Sequence, residues 1–188
     1  MKIIIGISGA SGSIYAKILI AHLTQIQNQI SQCSMVFTQN ASKIWQHELG
    51  EEAIIPHWIR VYDNHDFYAP FASGSAQYDL MIICPCSVGM LGRICSGIAS
   101  DLMSRAADVI LKERKKLICV LREMPYNLIH IENMKTLTMA GGIICPANPT
   151  FYHRPSNIEE LASTVVERII DLSGLKFASK RWAEDISE

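Results

Sequence analysis

Small residues gather where an apolar run ends. Ile3 to Ile7 gives way to Ser8-Gly9-Ala10-Ser11-Gly12-Ser13, and Ile14 to Leu23 returns in helical spacing. A strand that turns through small residues into a helix leaves backbone N–H groups and the positive end of the helix dipole facing outward. Such a turn suits an anion, with serine hydroxyls as added donors. The spacing is G-x-x-G-x-x-G, at Gly6, Gly9 and Gly12, so neither the dinucleotide fingerprint nor the Walker-type loop is present. An ordinary tight turn between strand and helix uses the same residues. A second helix start follows Cys84-Pro85-Cys86, where Ser87 is placed as N-cap for a helix through Val88, Gly89 and Met90. Two such starts on one rim suit a phosphate-bearing cofactor.

Charged residues at other strand ends add to these turns. Arg122-Glu123 directly follows the apolar run Leu117–Leu121. Arginine grips phosphate with two parallel hydrogen bonds, and a neighbouring glutamate can hold it or handle a proton. A structural ion pair closing the strand end is the competing reading. Arg105, Asp108 and Lys112 share one helix face at i, i+3 and i+7, a pattern that reads as a solvated salt-bridging row. Arg168 lies seven residues after Leu161, which predicts a half-buried guanidinium at the edge of an apolar stripe and in need of an anion.

These residues need a scaffold that brings strand exits together. Apolar runs at Ile3–Ile7, Ser34–Thr38, Leu80–Cys84, Leu117–Leu121 and Gly142–Cys145, with Arg60–Tyr62 as a weaker sixth, alternate with helical patterns. Near-continuous apolar strands between helices predict a doubly wound α/β fold, a parallel sheet covered on both faces. Ligands of such folds bind beyond the carboxyl ends of the strands. The helices are predicted at about Ile14–Gln27 with Ile14, Ile18, Ala21 and Ile20 or Leu23 inward, from about Asn40 with Trp45 and Glu48, at Ala99–Arg114 and at Asn127–Ala140. A last helix begins at a Ser156–Glu159 capping box and carries an Ile158, Leu161, Val165, Ile169, Leu172 stripe. The aromatic loop Phe67–Phe71, ending in Ser73-Gly74-Ser75, predicts packing against a neighbouring subunit or a flat ligand.

Size and composition suit one domain, residues 1–175, with a tail over 176–188 that Trp182 ties to the body or to another subunit. The 188 residues carry a formal charge of −1, which points away from nucleic acid and membrane surfaces. No apolar run approaches the roughly 20 residues of a membrane span, and the chain reads as cytoplasmic. The six cysteines lack C-x-x-C spacing and mostly sit in or beside apolar runs, so they read as buried thiols, and no metal is expected.

Taken together the motifs resemble the flavin prenyltransferase family. They are Gly-Ala-Ser-Gly at 9–12, Ala-Ser-Gly-Ser at 72–75, Cys-Pro-Cys-Ser at 84–87, Arg-Ala-Ala-Asp-Val-x-Leu-Lys-Glu-Arg at 105–114, Arg-Glu-x-Pro at 122–125, His-x-Glu-Asn-Met at 130–134 and Pro-x-x-Pro-x-Phe-Tyr at 146–152. The resemblance implies a Rossmann-like FMN-binding subunit that assembles into a homododecamer. Its reaction is metal-free transfer of a dimethylallyl group from dimethylallyl phosphate to N5 and C6 of reduced FMN, supplying a decarboxylase of the ubiquinone or aromatic-acid pathways. Position by position it implies FMN contacts from Gly9, Ala10, Ser11, Thr38, Ser73, Ser87, Val88, Gly89, Met90, Arg105 and Arg122. It implies phosphate contacts from Lys112, Arg122, Tyr152 and Arg168, and places Ser11, Glu48, Lys112, Arg122, Glu123 and Trp182 at the reaction. It thus overturns the solvated reading of Lys112. Met90 departs from the family, where a hydroxyl-bearing residue is usual, so contact there would have to come from backbone. Two alternatives are an FMN-dependent decarboxylase of the cysteine-decarboxylase branch and a non-catalytic flavin carrier. The first typically has a Pro-x-Met-Asn loop, which is missing at Pro146-Ala147-Asn148; the second leaves Lys112, Tyr152 and Arg168 without a role.

Overall fold

Alternate residues of the first strand serve two different cores. Ile3, Ile5 and Ile7 of β1 (Lys2–Ile7) pack on one side of the sheet, while Ile4 packs on the other and Gly6 faces Met103 there. A Cβ on Gly6 would lie 3.2 Å from the Met103 sulfur, so the glycine lets a helix approach the strand closely. In this computed structural model, which describes residues 1–179, five more strands follow: β2 (Gln32–Phe37), β3 (Ile59–Tyr62), β4 (Leu80–Cys86), β5 (Lys116–Leu121) and β6 (Ile143–Pro146). They form one six-stranded sheet in the order β3-β2-β1-β4-β5-β6, every pairing parallel. That is the predicted doubly wound fold, and its strand order reverses between β1 and β4, where ligands of such sheets bind.

Among the described residues six α-helices cover the sheet: α1 (Ser13–Gln25), α2 (Gln39–Leu49), α3 (Val88–Cys95), α4 (Leu102–Lys112), α5 (Leu128–Met139) and α6 (Ile158–Ser173). Leu19 and Leu23 of α1, Trp45 of α2 and Val166, Ile169 and Ile170 of α6 fill one face. Met90 and Leu91 of α3, Leu102, Met103 and Ala106 of α4 and Leu137 of α5 fill the other.

Several expectations shift. The buried stripe of α1 is Ser13, Ala16, Leu19, Ile20 and Leu23, because an all-round apolar helix leaves its phase to the turn before it. In α6 the buried residues are Ala162, Val165, Val166, Ile169, Ile170 and Ser173, so Ile158 is exposed and Arg168 is exposed rather than half-buried. The cap of α6 is Asn157, whose Oδ1 accepts from the Glu160 N–H at 2.8 Å, while Glu160 reaches back to the Ser156 N–H; the box lies one residue later than expected. Helix α4 begins at Leu102, not Ala99, behind a reciprocal Asp101–Ser104 cap. Of the loop aromatics, Phe71 is a core anchor between the rings of Tyr62 and Tyr78, whereas Tyr68 is fully exposed. Phe177 ties the start of the tail to the body by stacking on His22 at 4.5 Å, and Trp182 lies outside the described residues.

Candidate active site

Hydrogen bonds continue past the ends of the strands and gather their exits into one rim. The buried Ser8 hydroxyl donates to Pro85 O at 2.9 Å and accepts the Ser87 N–H at 2.8 Å, stitching the exit of β1 to that of β4. The Thr38 N–H donates to Ile7 O, the Arg122 N–H to Cys86 O and the Ala147 N–H to Leu121 O. Ser8 was not among the residues singled out from the sequence. Its only signal there was a hydroxyl between a buried strand and a glycine turn.

The two helix starts differ in a way the sequence did not indicate. At α1 the anion is supplied by the chain itself. Gly12, at φ 114°, caps the helix without a side chain, and the Glu48 carboxylate at the end of α2 accepts the N–H groups of Gly12 at 3.0 Å and Ser13 at 2.8 Å. Ser11 and Ser13 hydroxyls add hydrogen bonds to it. Partial burial pushes the Glu48 carboxyl up, but these hydrogen bonds outweigh it and hold the group below its ordinary value. The anion at the Gly12–Ser13 start of α1 is therefore an internal carboxylate. A carboxyl with a lowered pKa adds stability that is full above the ordinary value of 4.5 and is lost as pH falls below it. Glu48→Ala should cost about 1 kcal/mol, as other lost caps do, and urea unfolding curves of variant and wild type should differ at pH 7 and draw together as pH falls below the ordinary carboxyl value. Equal separation above and below that value would refute the role.

At α3 the terminus stays open. Ser87 Oγ accepts the Met90 N–H at 3.2 Å, and the Met90 side chain is buried in the core. The Met90 N–H is thus engaged by Ser87 Oγ and its side chain is turned to the core. Val88 and Gly89 head the helix with N–H groups that have no intrahelical acceptor, and a Cβ added at Gly89 would meet nothing within 4 Å. At the exit of β2 on the same rim, the Thr38 hydroxyl is buried without a hydrogen-bond partner among the described residues. It lines a 610 Å³ cavity with Phe37, Gln39, Ser42, Tyr62 and His65. An open helix terminus and an orphaned hydroxyl on one rim fit a phosphorylated cofactor such as FMN.

Further along the rim come Arg122, Glu123, Tyr152 and Arg168. Arg122 is exposed, and its Cγ lies 3.9 Å from where a Cβ on Gly12 would sit. Burial raises the Tyr15 phenol, Cys84 adds to this, and the nearby Arg122 charge opposes both. Glu123 Oε1 accepts the Met124 N–H at 3.0 Å. Tyr152 is exposed on the loop after β6, and Arg168 is near enough to Cys145 at the end of β6 to offset part of the rise that burial imposes on that thiol.

Ser73 and Lys112 are elsewhere. Lys112 ends α4 just before β5 begins at Lys116, and Ser73 and Gly74 line a 490 Å³ cavity with Lys2, Asp79, Glu113 and Lys115, at the amino ends of the strands. Arg105, midway along α4, donates from Nε to Ala72 O on the same loop. A six-residue strand spans about 20 Å, so one chain does not bring Lys112 or Ser73 to Arg122, Tyr152 and Arg168. Among the described residues no group of three or more His, Cys, Asp or Glu could hold a metal, and no helix is long and apolar enough to cross a membrane.

A fold of this order with a phosphate-ready rim defines a nucleotide-binding α/β protein, and the Flavoprotein family model matches residues 1–172. The flavin prenyltransferase UbiX of Methanocaldococcus jannaschii is 38% identical over 190 residues, covering 97% of this chain and 98% of the relative. A structure of AnUbiX in complex with FMN and dimethylallyl pyrophosphate superposes with a TM-score of 0.86 at 33% identity, covering 96% and 98% of the two chains. A dodecameric FMN-dependent UbiX-like decarboxylase from Escherichia coli O157:H7 gives 0.88 at 35% identity, covering 97% and 99%. The chain belongs to the flavin prenyltransferase family, and its activity is that of a prenyltransferase.

Proposed function

We propose that this chain joins the dimethylallyl group of dimethylallyl phosphate to N5 and C6 of reduced FMN, without a metal, in the cytoplasm. The product would be the prenylated flavin consumed by a decarboxylase of the ubiquinone or aromatic-acid pathways. The observation that carries the FMN part is an open α3 terminus and an orphaned Thr38 hydroxyl at strand exits of one rim, which also carries Arg122. Gly9, Ala10, Ser11, Thr38, Ser87, Val88, Gly89 and Arg122 would hold the cofactor. Family membership and the FMN–dimethylallyl pyrophosphate complex of a relative support the same pair of ligands. Reduced flavin, when bound, supplies the nucleophilic nitrogen.

The chain's own residues would manage the leaving group. Arg122, Tyr152 and Arg168 grip the phosphate and stabilise the charge that develops as the carbon–oxygen bond breaks. Glu123 sits beside them to carry a proton. Lys112, Ser73 and Arg105 reach a site only if a neighbouring copy presents its own α4 and 72–74 loop to the rim. A homododecamer would offer such contacts, and the Escherichia coli relative is dodecameric. Exposed Met124, Leu128, Ile129 and Met139 provide apolar surface for an assembly to cover.

Anaerobic incubation with reduced FMN and dimethylallyl monophosphate should raise the mass of the extracted flavin by one isoprene unit; an unchanged mass sinks the proposal. The diphosphate run in parallel identifies the donor. Arg168→Ala and Tyr152→Phe should raise the KM for the prenyl phosphate roughly tenfold or more, as expected for a lost contact to a charged group. FMN affinity should hold, and an equal loss of FMN would refute the division of roles.

A further inference from the structure

The lysine assigned to phosphate is already paired with an acid of its own chain. Lys112 Nζ forms an ion pair with Glu113, the residue that follows it. Glu113 has a prepared seat. Its carboxylate rests against Gly74, where an added Cβ would overlap Oε1 and Cδ. Gly74 is held in place in turn, because Ala72 O accepts Arg105 Nε at 3.1 Å and Arg105 is fixed by Asp108 at 2.9 Å. A glycine kept clear beneath a carboxylate, with the loop beneath it pinned to the same helix, gives Glu113 a fixed position beside the ammonium.

Both partners are partly exposed, so the pair is weak and exchangeable. A phosphoryl dianion carries more charge than a carboxylate and makes stronger charge-assisted hydrogen bonds, so it displaces Glu113 from Lys112. Once the prenyl group has been transferred, the same carboxylate competes for the ammonium as inorganic phosphate leaves. We propose that Glu113, seated on Gly74, is a positioning residue that competes with phosphate for Lys112 and thereby sets how readily phosphate is released. The inference rests on the reading of Lys112 as a phosphate ligand.

The test uses the full chain in its own assembly, saturated with FMN so that the cofactor's phosphate site is filled, and inorganic phosphate as probe. By calorimetry, Glu113→Gln should tighten phosphate binding roughly three- to tenfold, the scale of one exposed ion pair. The KM for dimethylallyl phosphate should fall and kcat should fall with it as product release slows. Gly74→Ala, which displaces only the flexible end of Glu113, should act in the same direction with smaller effect. In a Lys112→Ala background the effect of Glu113→Gln should vanish. Unchanged or weaker phosphate binding in Glu113→Gln overturns the proposal. So does an undiminished effect in the Lys112→Ala background, which would mean a general loss of negative charge. If Lys112→Ala alone leaves phosphate binding unaltered, the assignment of Lys112 fails first, and the failure is distinguishable from that of Glu113.

Discussion

Glu123→Gln will lower kcat by about two to four orders of magnitude, the usual contribution of a positioned proton carrier. The flavin content of the purified protein should stay the same. Glu123 is the second residue after β5, and its Oε1 is tied to the Met124 N–H, so the carboxylate is fixed at the strand exit beside Arg122. The amide variant keeps size and hydrogen-bond acceptance but cannot exchange a proton. Single-turnover formation of prenylated flavin is the informative readout, because it separates the chemical step from product release. A variant that forms product at the wild-type rate removes Glu123 from the proton steps. A variant that loses FMN in proportion to activity makes it a structural residue.

Lys112→Ala and Arg168→Ala chains, each impaired alone at low dimethylallyl phosphate, should regain activity there when unfolded together and reassembled. The expectation follows from where α4 ends: Lys112 stands at the amino side of the sheet and Arg168 beside the end of β6, a sheet's length away. If each site takes Lys112 from one copy and Arg168 from another, an equal random mixture rebuilds about a quarter of its sites with both residues intact. A site made within one chain would gain nothing by mixing. Activity that stays at the level of the separate variants refutes the shared site.

What the sequence made legible was local in origin. The six apolar runs became the six strands within one or two residues, because buried parallel strands are apolar on both faces and need no long-range partner to be recognised. The Ser87 cap was visible for the same reason, the donor and the acceptor being three residues apart. The internal cap on α1 was not visible, since Glu48 reaches it from 36 residues away and nothing near Gly12 marks the visitor. Nor could one-dimensional motifs reveal that Lys112 and Arg168 lie at opposite ends of the sheet. A shared family pattern gathers residues by function across an assembly, and the chain alone folds only its own part. Arg168 was misjudged because the apolar stripe of α6 was phased on Ile158 and Leu161, whereas the helix turns Ala162, Val166 and Ile170 to the sheet.

The Glu48 clasp on α1 bears on what kind of host this protein is to its nucleotide. A pocket wall whose shape depends on its guest must be rebuilt each time the guest departs. Here the first turn is braced from within, by a carboxylate borrowed from the neighbouring helix, and takes its form without a visitor. That suits a site for which, on the proposed reading, flavin is goods in passage rather than a permanent fitting, the bench staying set for the next.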